Sequence, residues 1–177
     1  GAAALGALAY RAYQNWQTDR EPGDAKGVDE AIEPDLPAGS QGPAVIATAF
    51  DPAAAPAKDG KPFELALVLA MIAAANADGH IDAAEQAAIF DQVGKLPLDA
   101  DAKAFVFDAL AQPPSLQAIA DLAENTAQAT ELFLASRLAI DPDHPMEEAY
   151  LEALASRLGL PQPLVMELEN QVSGVPA

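Results

Sequence analysis

The sequence contains no cysteine, only nine basic residues against 27 acidic ones, and few aromatic side chains. Without cysteine there is no disulfide framework, thiolate nucleophile, zinc ribbon or iron–sulfur cluster. The formal net charge of −18 repels phosphate groups, so we expect no nucleic acid partner and no electrostatic attraction to anionic lipid headgroups. The two most apolar stretches, residues 1–9 and 65–77, are each too short to cross a bilayer by themselves.

Alanine is the residue that the chain has in excess, at 42 of 177 positions. Alanine is the best helix former, and no run alternates β-branched or aromatic residues with polar ones. Because 51% of the residues are hydrophobic, the chain can bury a core rather than stay disordered. These features predict an all-α fold, with one domain and an extension.

Proline divides the chain into three segments. We predict an N-terminal helix at 1–17, a linker rich in proline and acids at 18–61, and a helical domain at 62–177. Each proline of the linker removes an amide donor and disfavours helix in the residue before it. Only residues 44–50 of the linker suit a short helix or an apolar anchor.

The N-terminal helix has two interpretations. Its small apolar start leads into Tyr10, Arg11, Tyr13 and Trp16, and an aromatic and basic edge is typical of the exit of a membrane segment. Since the chain begins with Gly1 and lacks an initiator methionine, we expect most of such a segment to be missing here. In the alternative interpretation, the helix docks on the domain or on a second subunit.

Local start and stop signals predict seven helices after residue 62. Asp82 and Glu85 form the pattern of a capping box, Pro145 suits a first helical position, and Gly159 suits a helix end. The first of these helices is apolar nearly all round, which indicates a place at the centre of a bundle. We also expect the three methionines to lie in the core. The predicted helices cover about 63–77, 82–95, 99–111, 115–124, 126–140, 145–158 and 163–172.

Two segments resemble each other at an offset of about 63 residues. Residues 70–98 read AMIAAANADGHIDAAEQAAIFDQVGKLPL, and residues 133–160 read FLASRLAIDPDHPMEEAYLEALASRLGL. Each has an apolar helix, an aspartate, a short loop with a histidine, and an amphipathic helix that ends in Leu-x-Leu. A duplicated helix–loop–helix predicts two pairs related by a pseudo-twofold axis, with the two acidic loops in comparable places.

These motifs carry a family resemblance. The string Ala-Asp-Gly-His-Ile-Asp-x-x-Glu at 77–85, with Asp-Pro-Asp-His-Pro at 141–145, resembles the TerB-like tellurite-resistance helical family. The start of the chain, ending in AYRAYQNWQ, resembles the bacterial inner-membrane branch of that family, the YebE-type proteins of unknown function. The resemblance implies a compact bundle of about seven helices and an acidic metal site at the residues matching Asp78, Asp82 and Glu85. Pro142 stands where the second copy would have glycine, a departure from a symmetric two-ion site.

The two loops also concentrate the chemistry of the chain, because they hold both of its histidines. Carboxylates suit calcium, magnesium or manganese, and histidine favours manganese, zinc or iron, so a divalent ion is the one cofactor that we expect. If the loops converge, they would share an ion. The structural alternative is that these residues only cap helices, and the loops lack the pattern of an EF-hand. The candidate ligands are Asp78, His80, Asp82, Glu85, Asp141, Asp143, His144 and Glu148.

The leading functional hypothesis is a helical binding or scaffold module. The resemblance implies a tether to the cytoplasmic face of a bacterial inner membrane and a role in envelope or metal-related stress; a cytoplasmic location is the alternative. The sequence does not identify the protein partner. The alternatives are a metal-dependent hydrolase that uses a metal-activated water at the acidic loops, and a homo-oligomerisation unit in which the N-terminal helix crosses to a second copy. The sequence offers no nucleophile with an adjacent base, so we assign no catalytic residue.

Overall fold

The computed structural model describes residues 2–18, 56–96, 98–140 and 144–173. In these residues the protein forms eight α-helices and no strand, which confirms the all-α class. A 3-10 turn at Asn76–Asp78 follows the second helix. Most of the linker, including residues 44–50, lies outside the described residues. The helices are α1 (Ala2–Thr18), α2 (Phe63–Ala75), α3 (Ala83–Lys95), α4 (Ala100–Ala111), α5 (Leu116–Ala120), α6 (Thr126–Ala139), α7 (Pro145–Leu158) and α8 (Gln162–Ser173).

The centre of the bundle is the pair α2 and α6, which contact each other more extensively than any other two helices. α2 buries 11 of its 13 residues, as its lack of a polar face predicted. The hydroxyl of Ser136 on α6 faces the Ala70 carbonyl of α2 and donates a 2.8 Å hydrogen bond to the Leu132 carbonyl. A small polar side chain is therefore satisfied inside the core, and the two helices pack closely around it.

Two apolar clusters lie on either side of this pair. The first joins α2 and α6 to α3, α4 and α5, through buried side chains such as Ile89, Val106 and Ile119. The second joins α6 to α1, α7 and α8, and includes Phe133 and Leu164. The core is therefore continuous through α6, and the second cluster positions the surface described below.

The local signals locate most helix ends correctly. Asp82 accepts from the Glu85 amide while the Glu85 side chain accepts from the Asp82 amide, so the capping box is confirmed. Gly159 ends α7 with φ 70°, a left-handed conformation that favours glycine. The predicted end of α2 at 77 was wrong, because its last residues tighten into the 3-10 turn that closes at Gly79.

Two of the three methionines do not lie in the core, contrary to the prediction. Met146 is 54% exposed and Met166 is 60% exposed. Each lies on the outer face of its helix, because Leu154 on α7 and Leu164 and Leu168 on α8 occupy the inner faces. An apolar residue in a short amphipathic helix is therefore not predicted to be buried unless the face of the helix on which it lies is known.

The N-terminal helix packs on the same chain, along α8 and against α6. Its buried face consists of Ala9, Ala12, Tyr13 and Trp16, each at most 6% exposed. The rings of Tyr13 and Trp16 lie 5.6 Å apart between centroids. This is the geometry of the docking interpretation; the relation of the segment to a membrane stays a prediction. None of the helices in the described ranges has the length and apolar character needed to cross a bilayer.

The last two helices diverge. α7 and α8 are joined by only three residues, yet they scarcely contact each other, whereas α8 packs extensively along α1. One ion pair also connects α8 to α6, with Arg137 Nε donating to Glu169 Oε2 at 2.7 Å. The position of α8 therefore depends mainly on α1.

We predict that Tyr13→Ala lowers the free energy of unfolding by about 3 kcal/mol, because it removes a buried aromatic side chain from the second cluster. The matched control is Arg11→Ala, an exposed position on the same helix, for which we expect a change within about 0.5 kcal/mol. Urea unfolding of the 177-residue chain measures both. Equal effects of the two substitutions would show that α1 is not docked in solution.

Candidate functional site

The first acidic loop is organised by bonds to its own backbone. Asp78 Oδ1 accepts from the His80 amide at 3.1 Å and lies 3.2 Å from His80 Nδ1. Asp82 and Glu85 each use one carboxylate oxygen in the capping box, at 2.8 Å. All four side chains are exposed or half-buried. These bonds to nearby backbone use one oxygen of each carboxylate. The other oxygen of each carboxylate has no partner among the described residues.

The described residues of the second loop also interact with the start of the helix that follows it. His144 caps α7, with its Nδ1 accepting from the Met146 amide at 3.3 Å. Glu148 is exposed in the first turn of α7, where a negative charge interacts favourably with the helix dipole. Asp141 and Asp143, the other two candidates of this loop, lie outside the described residues.

The structure brings the first acidic loop close to α7, the helix that follows the second acidic loop, because the 3-10 turn packs against α7. Among the described residues, however, no three histidine, aspartate or glutamate side chains are grouped so that they would hold one ion. The described donors alone therefore do not form a multidentate site. Convergence of the complete loops, which needs Asp141 and Asp143, stays a prediction.

A surface that the sequence did not reveal lies in the gap between α7 and α8. It is a half-open groove of about 650 Å³, which we call the α7–α8 groove. The apolar side chains beneath it, such as Phe133 and Leu151, are almost completely buried, and glutamates from both helices stand at its rim. A volume of this size is in the range of ligand-binding pockets. The lining residues are Phe133, Glu148, Leu151, Glu152, Ala155, Ser156, Leu160, Gln162, Val165 and Glu169.

The charges at the rim of the groove are unequally neutralised. Glu169 on the α8 side pairs with Arg137 at 2.7 Å. Glu148 and Glu152 lie one helical turn apart on α7, and neither carboxylate makes an ion pair or a hydrogen bond within the described part of the chain. Like charges at this spacing repel by a few tenths of a kcal/mol, roughly, so a cation between them would relieve the repulsion.

Tyr150, on the opposite side of α7 from its exposed acids, joins the two apolar clusters. Its hydroxyl is buried and has no hydrogen-bond partner in the described residues. Burial raises the pKa of Tyr150 to about 12, because the phenolate would lose its hydration. Neither the periodicity nor the repeat distinguished this tyrosine from an ordinary helix-surface residue.

Comparisons with known proteins give a family but no activity. A family model described as "Protein of unknown function (DUF533)" matches residues 1–172. An "Uncharacterized protein in ampR 5'region" of Yersinia enterocolitica is 33% identical over 106 residues, which cover 60% of this chain and 76% of that relative. No solved structure matches the chain. Neither description names a ligand or a reaction.

We predict that Tyr150→Phe raises the free energy of unfolding by about 1 kcal/mol near neutral pH, because it removes a buried hydroxyl with no described partner. The gain grows with pH. The unfolded tyrosine ionises near pH 10 while the folded one stays protonated to about pH 12, so wild-type stability falls as pH rises across this window.

The difference between the variant and the wild type should increase by about 1.4 kcal/mol from pH 8 to pH 11. Urea unfolding at the two pH values measures it. A loss of stability in Tyr150→Phe at pH 8, with no further change at pH 11, would contradict the burial of an unbonded hydroxyl.

Proposed function

The chain belongs to the DUF533 family of proteins of unknown function, and on that premise we propose that it is a helical binding or scaffold module. The observation that carries the proposal is the α7–α8 groove, a half-open surface with glutamates at its rim above largely buried apolar side chains. A partner segment in this groove would cover the half-buried Val165 and remove its exposed apolar area from water, a favourable contribution to association. The groove needs no rearrangement of the bundle to be accessible.

We further propose that the module is TerB-like and is tethered to the cytoplasmic face of a bacterial inner membrane. The support comes from the motif at 77–85 and from the small, apolar start of the chain, both of which resemble that family's membrane branch. α1 would then connect the attachment to the domain through the face that it buries against α8. A cytoplasmic location is the alternative.

A second candidate function is divalent cation binding at the acidic loops, which a metal-dependent hydrolase would require. The observation that favours it is the contact of the 3-10 turn with α7. This contact brings the turn that ends in Asp78 close to the helix that follows the second loop. Each carboxylate of the first loop uses one oxygen locally, so the second oxygen is available to calcium, magnesium, manganese or zinc.

Photo-crosslinking in the native host tests the binding module. A photoreactive amino acid replaces Gln162, an exposed lining residue of the groove, and a control carries it in place of Lys103, exposed on α4. We expect a discrete crosslinked product at position 162 and none at 103. Equal crosslinking at both positions would contradict a specific groove.

Fractionation of the same cells tests the tether. We expect the protein in the membrane fraction, and a protein found wholly in the soluble fraction would contradict the tether.

Calorimetric titration of the 177-residue chain with each of the four cations tests the metal site. We expect at least one dissociation constant below about 1 mM, weakened about tenfold or more by Asp78→Asn, which keeps the turn's acceptor oxygen but loses the charge. Asp108→Asn, at an exposed position of α4, is the control for net charge. If no ion binds, or if both variants weaken binding equally, the metal site and the hydrolase are wrong.

A further inference from the structure

The outer face of α3 is apolar and exposed. α3 packs mainly on α2, and only Ile89 and Val93 among its described side chains are buried. On the exposed side, the ring of Phe90 contacts the ring of Phe107 on α4, with 5.5 Å between centroids. Phe90 is 38% exposed and Phe107 is 58% exposed. Adjoining exposed apolar side chains mark interaction surfaces, whereas isolated ones do not.

The exposed apolar residues of α3 have the spacing of a helix–helix seam. Ala83, Ala87, Phe90 and Gly94 follow one another at intervals of four, three and four residues, so they line one side of the helix. We call these four residues the α3 strip. Its intervals are the same in both directions along the chain. When two copies of α3 pack antiparallel about the middle of the strip, Phe90 of each therefore opposes Ala87 of the other, and Gly94 opposes Ala83. A large side chain then meets a small one, as interdigitating helices require.

Gly94 independently indicates a close neighbour. It lies inside α3 and is not among the described glycines with positive φ. A Cβ at this position would meet nothing within 4 Å. Glycine disfavours a helix relative to alanine, and no contact within the described part of the chain requires it here. The close approach of a second backbone does require a residue without a side chain.

The charges of α3 indicate that the second backbone belongs to another copy of this chain. All three charged residues of the helix are already engaged, Glu85 in the capping box and Asp91 with Lys95 at 2.7 Å. The α3 strip therefore offers no unpaired charge to an acidic or a basic partner. Two chains of net charge −18 repel each other over most of their surface, so they approach best through a face whose charges are compensated.

We propose that the α3 strip, with Phe107 beside it, is the interface of a homodimer in which two copies of α3 pack antiparallel. The inference is independent of the α7–α8 groove, because α3 belongs to the first apolar cluster and the groove lies beside the second.

The size of the strip indicates a weak, reversible dimer. The two phenylalanine rings together expose about 200 Å², if one phenylalanine presents about 200 Å² in full. Even with the alanines of the strip, this is well below the roughly 800 Å² per partner of a standard stable interface. We therefore expect a dissociation constant between about 10 μM and about 1 mM.

Sedimentation equilibrium of the 177-residue chain over that concentration range tests the proposal. We expect a monomer–dimer equilibrium that is about threefold or more tighter in about 0.5 M salt than in about 0.05 M, because salt screens the repulsion between the two acidic chains. A chain that stays monomeric at about 1 mM in the higher salt overturns the proposal, and so does a dimer that salt weakens.

Two substitutions locate the dimer on the α3 strip. Ala87→Glu places a carboxylate at the centre of the interface and should weaken association about tenfold or more. Ala7→Glu makes the same change at an exposed position of α1, which packs in the second cluster, and should leave the dissociation constant within about twofold. Gly94→Leu adds a side chain where the chain itself leaves open space, so the melting temperature should not fall. It should nevertheless weaken association about tenfold, because it separates the two helices at Ala83.

The remaining outcomes assign the association elsewhere. Unspecific contact between apolar surfaces would be strengthened by Gly94→Leu, and that result overturns the proposal. A dimer that Ala87→Glu and Gly94→Leu both leave intact uses another surface, such as α1 crossing to a second copy, and also overturns it. Crosslinking at position 162 of the groove should be the same in Ala87→Glu as in the wild type, so the homodimer and the binding module fail independently.

Discussion

The burial of one face of α1 against α8 is the interaction on which the second half of the structure depends. α8 has few contacts with α7, so its buried Leu164 and Leu168 rely on the cluster that Ala9, Ala12 and Tyr13 complete. Each fully buried side chain of this kind contributes about 1.5–3 kcal/mol, enough in sum to hold a 12-residue helix in place. The α7–α8 groove is a consequence of this attachment, because α1 holds one of its walls away from the other.

The sequence predicted what local chemistry decides and missed what long-range packing decides. The capping box at Asp82, the stop at Gly159 and the burial of α2 each follow from residues within a few positions of one another. The docking of α1 could not be chosen over its alternative, because a helix with Tyr13 and Trp16 on one face suits either a membrane edge or a protein core. The groove depends on the divergence of two adjacent helices, and the pattern of a single helix carries no information about the angle to its neighbour.

The acidic loops show why residue type alone does not separate a helix cap from a cation ligand. Aspartate and glutamate are favoured at helix starts for their charge and acceptor oxygens, which are also the properties that hard cations require. Asp82 and Glu85 form a capping box and Asp78 accepts from the His80 amide, so each of the three already uses one oxygen on nearby backbone. A cation would use the remaining oxygens, and the two roles are additive rather than exclusive. The position of the two loops relative to each other is what distinguishes a cation site from a pair of helix caps. The sequence of either loop alone does not determine that position.

The proposed tether and the proposed groove meet at α1. Its early residues are those that resemble a membrane segment, whereas the face from Ala9 to Trp16 supports α8 and hence the far wall of the groove. A partner that bound the groove would contact α8 only while α1 is docked, so its binding would stabilise the docked state by the same free energy with which docking favours binding. Because this coupling is reciprocal, any process that displaces α1 would also weaken the groove for its partner. The same 17-residue helix would then both attach the module and determine whether the module is competent to bind.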